Sequence, residues 1–167
     1  VMLKPGGHLV LKADTAVVGF TMPVELGSLV KAEMSAREIP WGPIVAHVRA
    51  RRWTFLLESD IRWDTGVSLD AEMMRSNVTV VRTGGEIALP SPAPSSIQRG
   101  WVVEPHDSHL PSAASVLEVT RHCASLLDQH HRFQPTAGQI PASDVIEPVV
   151  PHQPEAVQRQ GDSSCSR

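Results

Sequence analysis

Three guanidinium groups stand directly before two aromatic rings in the stretch IVAHVRARRWTFLLESD, residues 44–60: Arg49, Arg51 and Arg52, then Trp53 and Phe55. Arginine offers forked, permanently charged donors that suit phosphate oxygens, and an exposed ring offers a nucleobase a surface to stack on. These three arginines are therefore the candidate nucleic-acid-binding residues. The competing reading is a charged hairpin tip that keeps a sheet end solvated. Ile44, Ala46 and Val48 in the first half of the stretch and Trp53, Phe55 and Leu57 in the second would lie on one face of a strand pair, each set with the period of two of a strand that buries one face. The aromatics are then core, and the arginines fall at the turn.

A second group of residues has the types and closeness of metal ligands. PHDSHLP puts His106, Asp107 and His109 together, and imidazoles with carboxylates build zinc sites. A catalytic metal needs a further ligand from elsewhere, and none is obvious. The same residues would serve a turn into a helix opened by Pro111, the plainer reading. Asp14 and His47 are the remaining catalytic candidates. A metal-dependent enzyme would need Asp14, His47, His106, Asp107 and His109 to converge from distant segments. The expectation is that they are dispersed, so that no cofactor is expected and Mg²⁺ enters only for a catalytic protein. Cys123 beside His122 is a poor nucleophile pair, since neighbours on a helix point about 100° apart. It reads as a small core side chain.

Phosphate-binding signatures are missing. KPGGH and RTGGE hold paired glycines without P-loop or dinucleotide spacing, and each sits where a turn is wanted. No serine nucleophile elbow appears, nor a close pair of carboxylates on one strand.

The elements that must position these residues read as an α+β domain over 1–132. Apolar alternation comes in apparent hairpin pairs: HLVLK with AVVGF, PIVAHV with RWTFLLE, and VTVVR with EIALP, the last joined by Gly84 and Gly85. RGWVVEP adds a seventh strand around Trp101 to Glu104. A mostly antiparallel or mixed sheet is expected, covered by helices near 23–36 and 112–131, with a shorter helix in SLDAEMMRS. Pro23 suits a first helical position, Ser68 a cap, and Val116, Val119, Cys123 and Leu127 an apolar stripe. The prolines of PSPAPSSIQRG, residues 90–100, make a loop that could act as a flap. Residues 133–167 are rich in proline and poor in apolar runs, and read as a disordered tail in which DVIEPVV is the one segment fit to dock.

Composition narrows the class. A chain of 167 residues with 41% hydrophobic content supports one core, and the formal net charge of −3 supplies no global attraction to nucleic acid or to anionic membrane. Any such binding must be local. No run is long and apolar enough for a membrane span, and VMLKPGGHLVLKADT lacks the features of a signal peptide, so a soluble cytoplasmic protein is expected. Cys123 and Cys165 lie in unlike settings and give no disulfide framework.

In that order of elements, HLVLKADTAVVGFTMPVELGSLV, GPIVAHVRARRWTFLLE, EIALPSP and RGWVVEPHDSHLPSAASVLEVT together resemble an actinobacterial family labelled bifunctional DNA primase/polymerase, over roughly residues 8–130. The resemblance implies a primase-polymerase-like α+β domain. Catalytic members of that superfamily hold two metal ions on an Asp-x-Asp pair at a strand end and use a nearby histidine strand against the incoming nucleotide. Here the corresponding strand, AVVGFTMP, carries no acid, Asp14 stands alone before it, and His47 corresponds to the superfamily histidine. The resemblance therefore implies a degenerate member whose polymerase chemistry is lost: a binding or regulatory module with nucleic acid or another protein as partner. The alternatives are a protein-interaction domain with no nucleic-acid role and a nucleotidyltransferase with an atypical metal site.

Overall fold

The alternation that marks strands in the sequence is realised, among the described residues, in two antiparallel sheets with three helices. The computed structural model describes residues 1–5, 7–61, 66–91 and 99–133. In chain order these form β1 (Met2–Lys4), β2 (His8–Lys12), β3 (Val17–Pro23), α1 (Val24–Ala36), β4 (Ile44–His47), β5 (Arg52–Glu58), α2 (Gly66–Arg75), β6 (Thr79–Val81), β7 (Glu86–Ala88), β8 (Arg99–Val103) and α3 (Ala113–Phe133). They belong to one compact unit, Val1–Gln134. The expected tail, with DVIEPVV, lies outside the described residues, as do residues 92–98 of the expected proline loop. Arg99 and Gly100, counted into that loop from the sequence, already belong to β8.

The larger sheet has the order β6-β3-β5-β4-β8 and the smaller β1-β2-β7. Of the three expected hairpins only β4–β5 forms, with Ile44 opposite Phe55 and His47 opposite Arg52. The other two are corners between layers. β2 pairs with β1 and β7, whereas β3 pairs with β5 and β6, so the chain passes from the small sheet to the large one between residues 12 and 17 and returns between 81 and 86. The two corners are clipped together. Ala13 donates its N–H to the Gly85 carbonyl at 2.9 Å, and its carbonyl accepts from Gly84 N–H at 3.0 Å. Gly84 has φ +89°, a conformation that a Cβ would strain, and makes a tight turn at this corner rather than in the expected hairpin, whereas Gly85 does not have a positive φ.

Each face of the large sheet is covered by a different layer. One face carries Val18, Phe20 and Met22 of β3, Ile44 of β4 and Phe55 and Leu57 of β5, all buried against Leu26, Val30 and Met34 of α1, Leu69 and Met73 of α2, and Val116, Val119 and Cys123 of α3. Trp53 packs against the same core, so the aromatics of the arginine-rich stretch do turn inward. Gly27 makes room for it, since a Cβ there would come within 3.1 Å of the indole. The opposite face buries Val45 and Leu56 against Ile87 and Leu89. Gly19 faces the small sheet at close range: an added Cβ would meet Ile87 Cδ1 at 2.7 Å. Val48, counted as buried from alternation, is 60% exposed because β4 ends at His47.

Helix boundaries differ from expectation in their caps. Pro23 is the N-cap of α1, with ψ 148°, rather than its first helical residue. α2 begins at Gly66, so Ser68 lies within its first turn. α3 opens at Ala113, two residues beyond the expected Pro111, and is capped by Ser112, whose hydroxyl accepts the Ser115 N–H at 3.1 Å. No described helix is long and apolar enough to cross a membrane.

Candidate functional site

Hairpin β4–β5 and strand β8 bring three basic side chains into one row. His47 is directly opposite Arg52 on β5 and opposite Arg99 on β8. Directly opposed residues of neighbouring strands share a face, so Arg52, His47 and Arg99 lie side by side on the face turned toward the small sheet. The next row inward is Thr21, Thr54, Val45 and Trp101. Over these rows lies a cavity of about 360 Å³, lined by Thr21, His47, Arg49, Arg52, Thr54 and Arg99 of the large-sheet side and by Glu86, Ile87 and Ala88 of β7.

The floor of this cavity is hydrogen-bonded. Thr54 is buried, and its Oγ1 lies 2.8 Å from Thr21 Oγ1 and 2.8 Å from His47 Nε2. Arg52 is held rigidly: its Nη2 donates to the Thr21 carbonyl at 2.8 Å and the Asn77 carbonyl at 2.7 Å, and its Nη1 to Asn77 Oδ1 at 2.9 Å. It thereby joins β5 to the α2–β6 connection while its charge stays at the cavity. Arg49 and Arg99 form no ion pair with a described residue. The one carboxylate among the described lining residues, Glu86, is engaged by Lys4 Nζ at 2.5 Å. His47 is half-buried, and burial first, then the charges of Arg99 and Arg52, hold its pKa below the ordinary imidazole value. The imidazole is therefore neutral at pH 7, between two guanidinium groups.

Chemically, the lining is suited to an anion. Arginines supply charge and forked donors, and the threonine hydroxyls and imidazole supply adaptable hydrogen-bonding partners.

The residues singled out from the sequence divide accordingly. Arg49, Arg52 and His47 line the cavity, but Arg51 points the other way and pairs with Glu25 of α1 at 2.7 Å. Arg51 has φ +50°, and this left-handed turn residue is what sends it from the arginine face to the helix face. Asp14 closes the corner between β2 and β3, its Oδ1 accepting the Ala16 and Val17 N–H groups at 2.8 and 3.0 Å, and those bonds lower its pKa. His106, Asp107 and His109 lie in the α3-side loop beside Trp41 and Pro43, where Asp107 Oδ1 accepts the His109 N–H at 2.8 Å. Among the described residues no group of three or more His, Cys, Asp or Glu side chains is placed to hold a metal ion. Cys123 is buried in the helix-side core, where burial raises its thiol pKa.

Arg99, Thr21 and Thr54 were not singled out from the sequence. Arg99 is separated from His47 by more than fifty residues of chain, and its only local signal is its place before the Gly-Trp strand. Pairing β8 with β4 is the information that would have found it. Compared with known proteins, the chain matches no family model, and no curated protein or solved structure is found similar to it.

Proposed function

We propose that the chain is a non-catalytic, primase/polymerase-like binding module of the cytoplasm that contacts single-stranded nucleic acid through the cavity of His47, Arg49, Arg52 and Arg99. The observation that carries this reading is the convergence of three arginines on one open cavity whose single carboxylate among the described residues is already paired with a lysine. Phosphate oxygens are the ligand for which such donors are suited. Support for the non-catalytic part comes from β3. Its positions on the cavity face, Val17, Gly19, Thr21 and Pro23, carry no acid, whereas the resembled family uses carboxylates on that strand to hold Mg²⁺, a hard cation that takes oxygen ligands. Trp53 and Phe55 are turned to the core, so backbone phosphates rather than stacked bases provide the attraction.

The test is a titration of the full chain with fluorescent oligothymidylate across a range of salt. Arg49→Ala with Arg99→Ala should weaken binding and reduce the slope of log affinity against log salt by about 1.4, two phosphate contacts at about 0.7 each on a single strand. Arg51→Ala should leave binding unchanged, because Arg51 faces Glu25. Arg52 is unsuited to the test, since removing it also releases Asn77 and Thr21. Absence of binding by the unaltered chain would transfer the cavity to a protein partner, and incorporation of nucleotides with Mg²⁺ would overturn the non-catalytic reading.

A further inference from the structure

His47 occupies an unusual place in the cationic row: it is the one member whose charge can change near neutral pH. Arg52 flanks it from β5 and Arg99 from β8, Arg49 lines the same cavity from the turn, and Glu86 faces it from β7 while paired to Lys4 of β1. Thr54 and Thr21 complete its surroundings. We propose that anion binding in this cavity is proton-coupled, His47 taking up one proton from solvent as a phosphodiester settles among Arg49, Arg52 and Arg99. This rests on the anion-binding reading above and adds its control by pH.

Two features of the geometry support the step. The first is that imidazolium formation costs no hydrogen bond at Nε2. The Nε2–H donates to Thr54 Oγ1, which lies 2.8 Å away, and Thr54 in turn donates to Thr21 Oγ1, also 2.8 Å away. Hydroxyl rotors accept this direction of donation as readily as the reverse. The second is electrostatic. In the free chain burial and two neighbouring cations disfavour the charged ring, which agrees with its lowered pKa. A bound phosphodiester offsets the arginine charges and is itself attracted to a fourth cation, so the same ring is more basic in the complex. By linkage, ligand and proton then favour each other's binding equally. Binding is tightest at low pH. It weakens by up to tenfold per pH unit between the His47 pKa of the free chain and that of the complex, and is level outside that window.

The probe is oligothymidylate at constant ionic strength, because neither its phosphodiesters nor its bases titrate between about pH 5 and pH 8. Affinity of the full chain should fall across that range. His47→Gln, whatever its affinity at high pH, should lose most of that fall, so the difference in pH dependence between the two proteins is the readout. Should that variant fold poorly, the His47 ring resonances of the unaltered chain, followed by NMR through a pH series, should titrate at higher pH with oligothymidylate than without. Equal pH dependence in chain and variant, or a His47 titration unmoved by ligand, overturns proton coupling and leaves the binding reading intact. No binding at any pH overturns both.

Discussion

At the scale of single residues, Thr54 is a fully buried polar group on the floor of the cavity. Its hydroxyl serves Thr21 and His47 from a site that is only 1% exposed. Thr54→Val keeps the shape and removes the hydroxyl, leaving two polar neighbours without their partner. A buried group stripped of its hydrogen bond costs about 1–3 kcal/mol, so denaturant unfolding should show a loss in that range, while Thr54→Ser should recover most of it. Stability equal to the parent for Thr54→Val would mean that water serves His47 and Thr21 instead. His47 itself links stability to pH. Its folded-state pKa lies below the ordinary value of about 6.5, so the unfolded chain binds the proton more readily. Stability should hold above about pH 6.5 and decline as pH falls from there toward the folded pKa. Thermal melts of the chain and of His47→Gln over pH 5–8 should show a smaller decline in the variant, and parallel profiles would contradict the assignment.

Elements were more legible than their ends. The apolar stripes of α1 and α3 are strong enough to be read from spacing, because a helix against a sheet must keep one face apolar. The caps were not, since capping depends on what the rest of the fold supplies. Asp60 shows this. It follows β5 by two residues, yet its Oδ2 accepts from the Ser112 hydroxyl at 2.5 Å and its Oδ1 from Ala114 N–H at 3.0 Å, holding the first turn of α3 against the sheet. No local pattern links residues 60 and 112. The ion pair of Arg121 with Glu72 also joins elements, α3 to α2, through two contacts of 2.7 Å, but both side chains are about a third or more exposed. Exposed pairs contribute about 0–1 kcal/mol, whereas loss of an N-terminal cap costs about 0.5–2 kcal/mol. Asp60→Ala should therefore lower stability more than Glu72→Gln, measured as the shift in denaturation midpoint. The reverse order would place the attachment of α3 at its middle rather than at its start.

For the whole molecule, the order of layers was the part the sequence concealed. Short alternating runs separated by a few residues signal a hairpin, but they signal equally a corner at which the chain leaves one sheet for another, and β2–β3 and β6–β7 are corners of this second kind. The distinction rests on non-local pairing: Ala13 with Gly84 and Gly85, and β2 with β7, join parts of the chain some seventy residues apart. The same concealment hid the cavity, because its walls come from both sheets. Gly19 tests whether this stacking holds the molecule together. Its hydrogen lets β7 approach until an added Cβ would stand 2.7 Å from Ile87 Cδ1 and 3.3 Å from Thr54 Cγ2. Alanine there displaces chiefly the mobile end of an isoleucine, a small adjustment, whereas valine adds two methyl groups that must push the sheets apart. Overpacking of this kind costs about 1–3 kcal/mol. Gly19→Val should be destabilised by that amount and Gly19→Ala by less, and trimming the opposing side chain with Ile87→Val should return part of the loss in a double-mutant cycle. Additive effects of Gly19→Val and Ile87→Val would show that the two residues do not meet, and the packing of the small sheet on the large one would have to be redrawn.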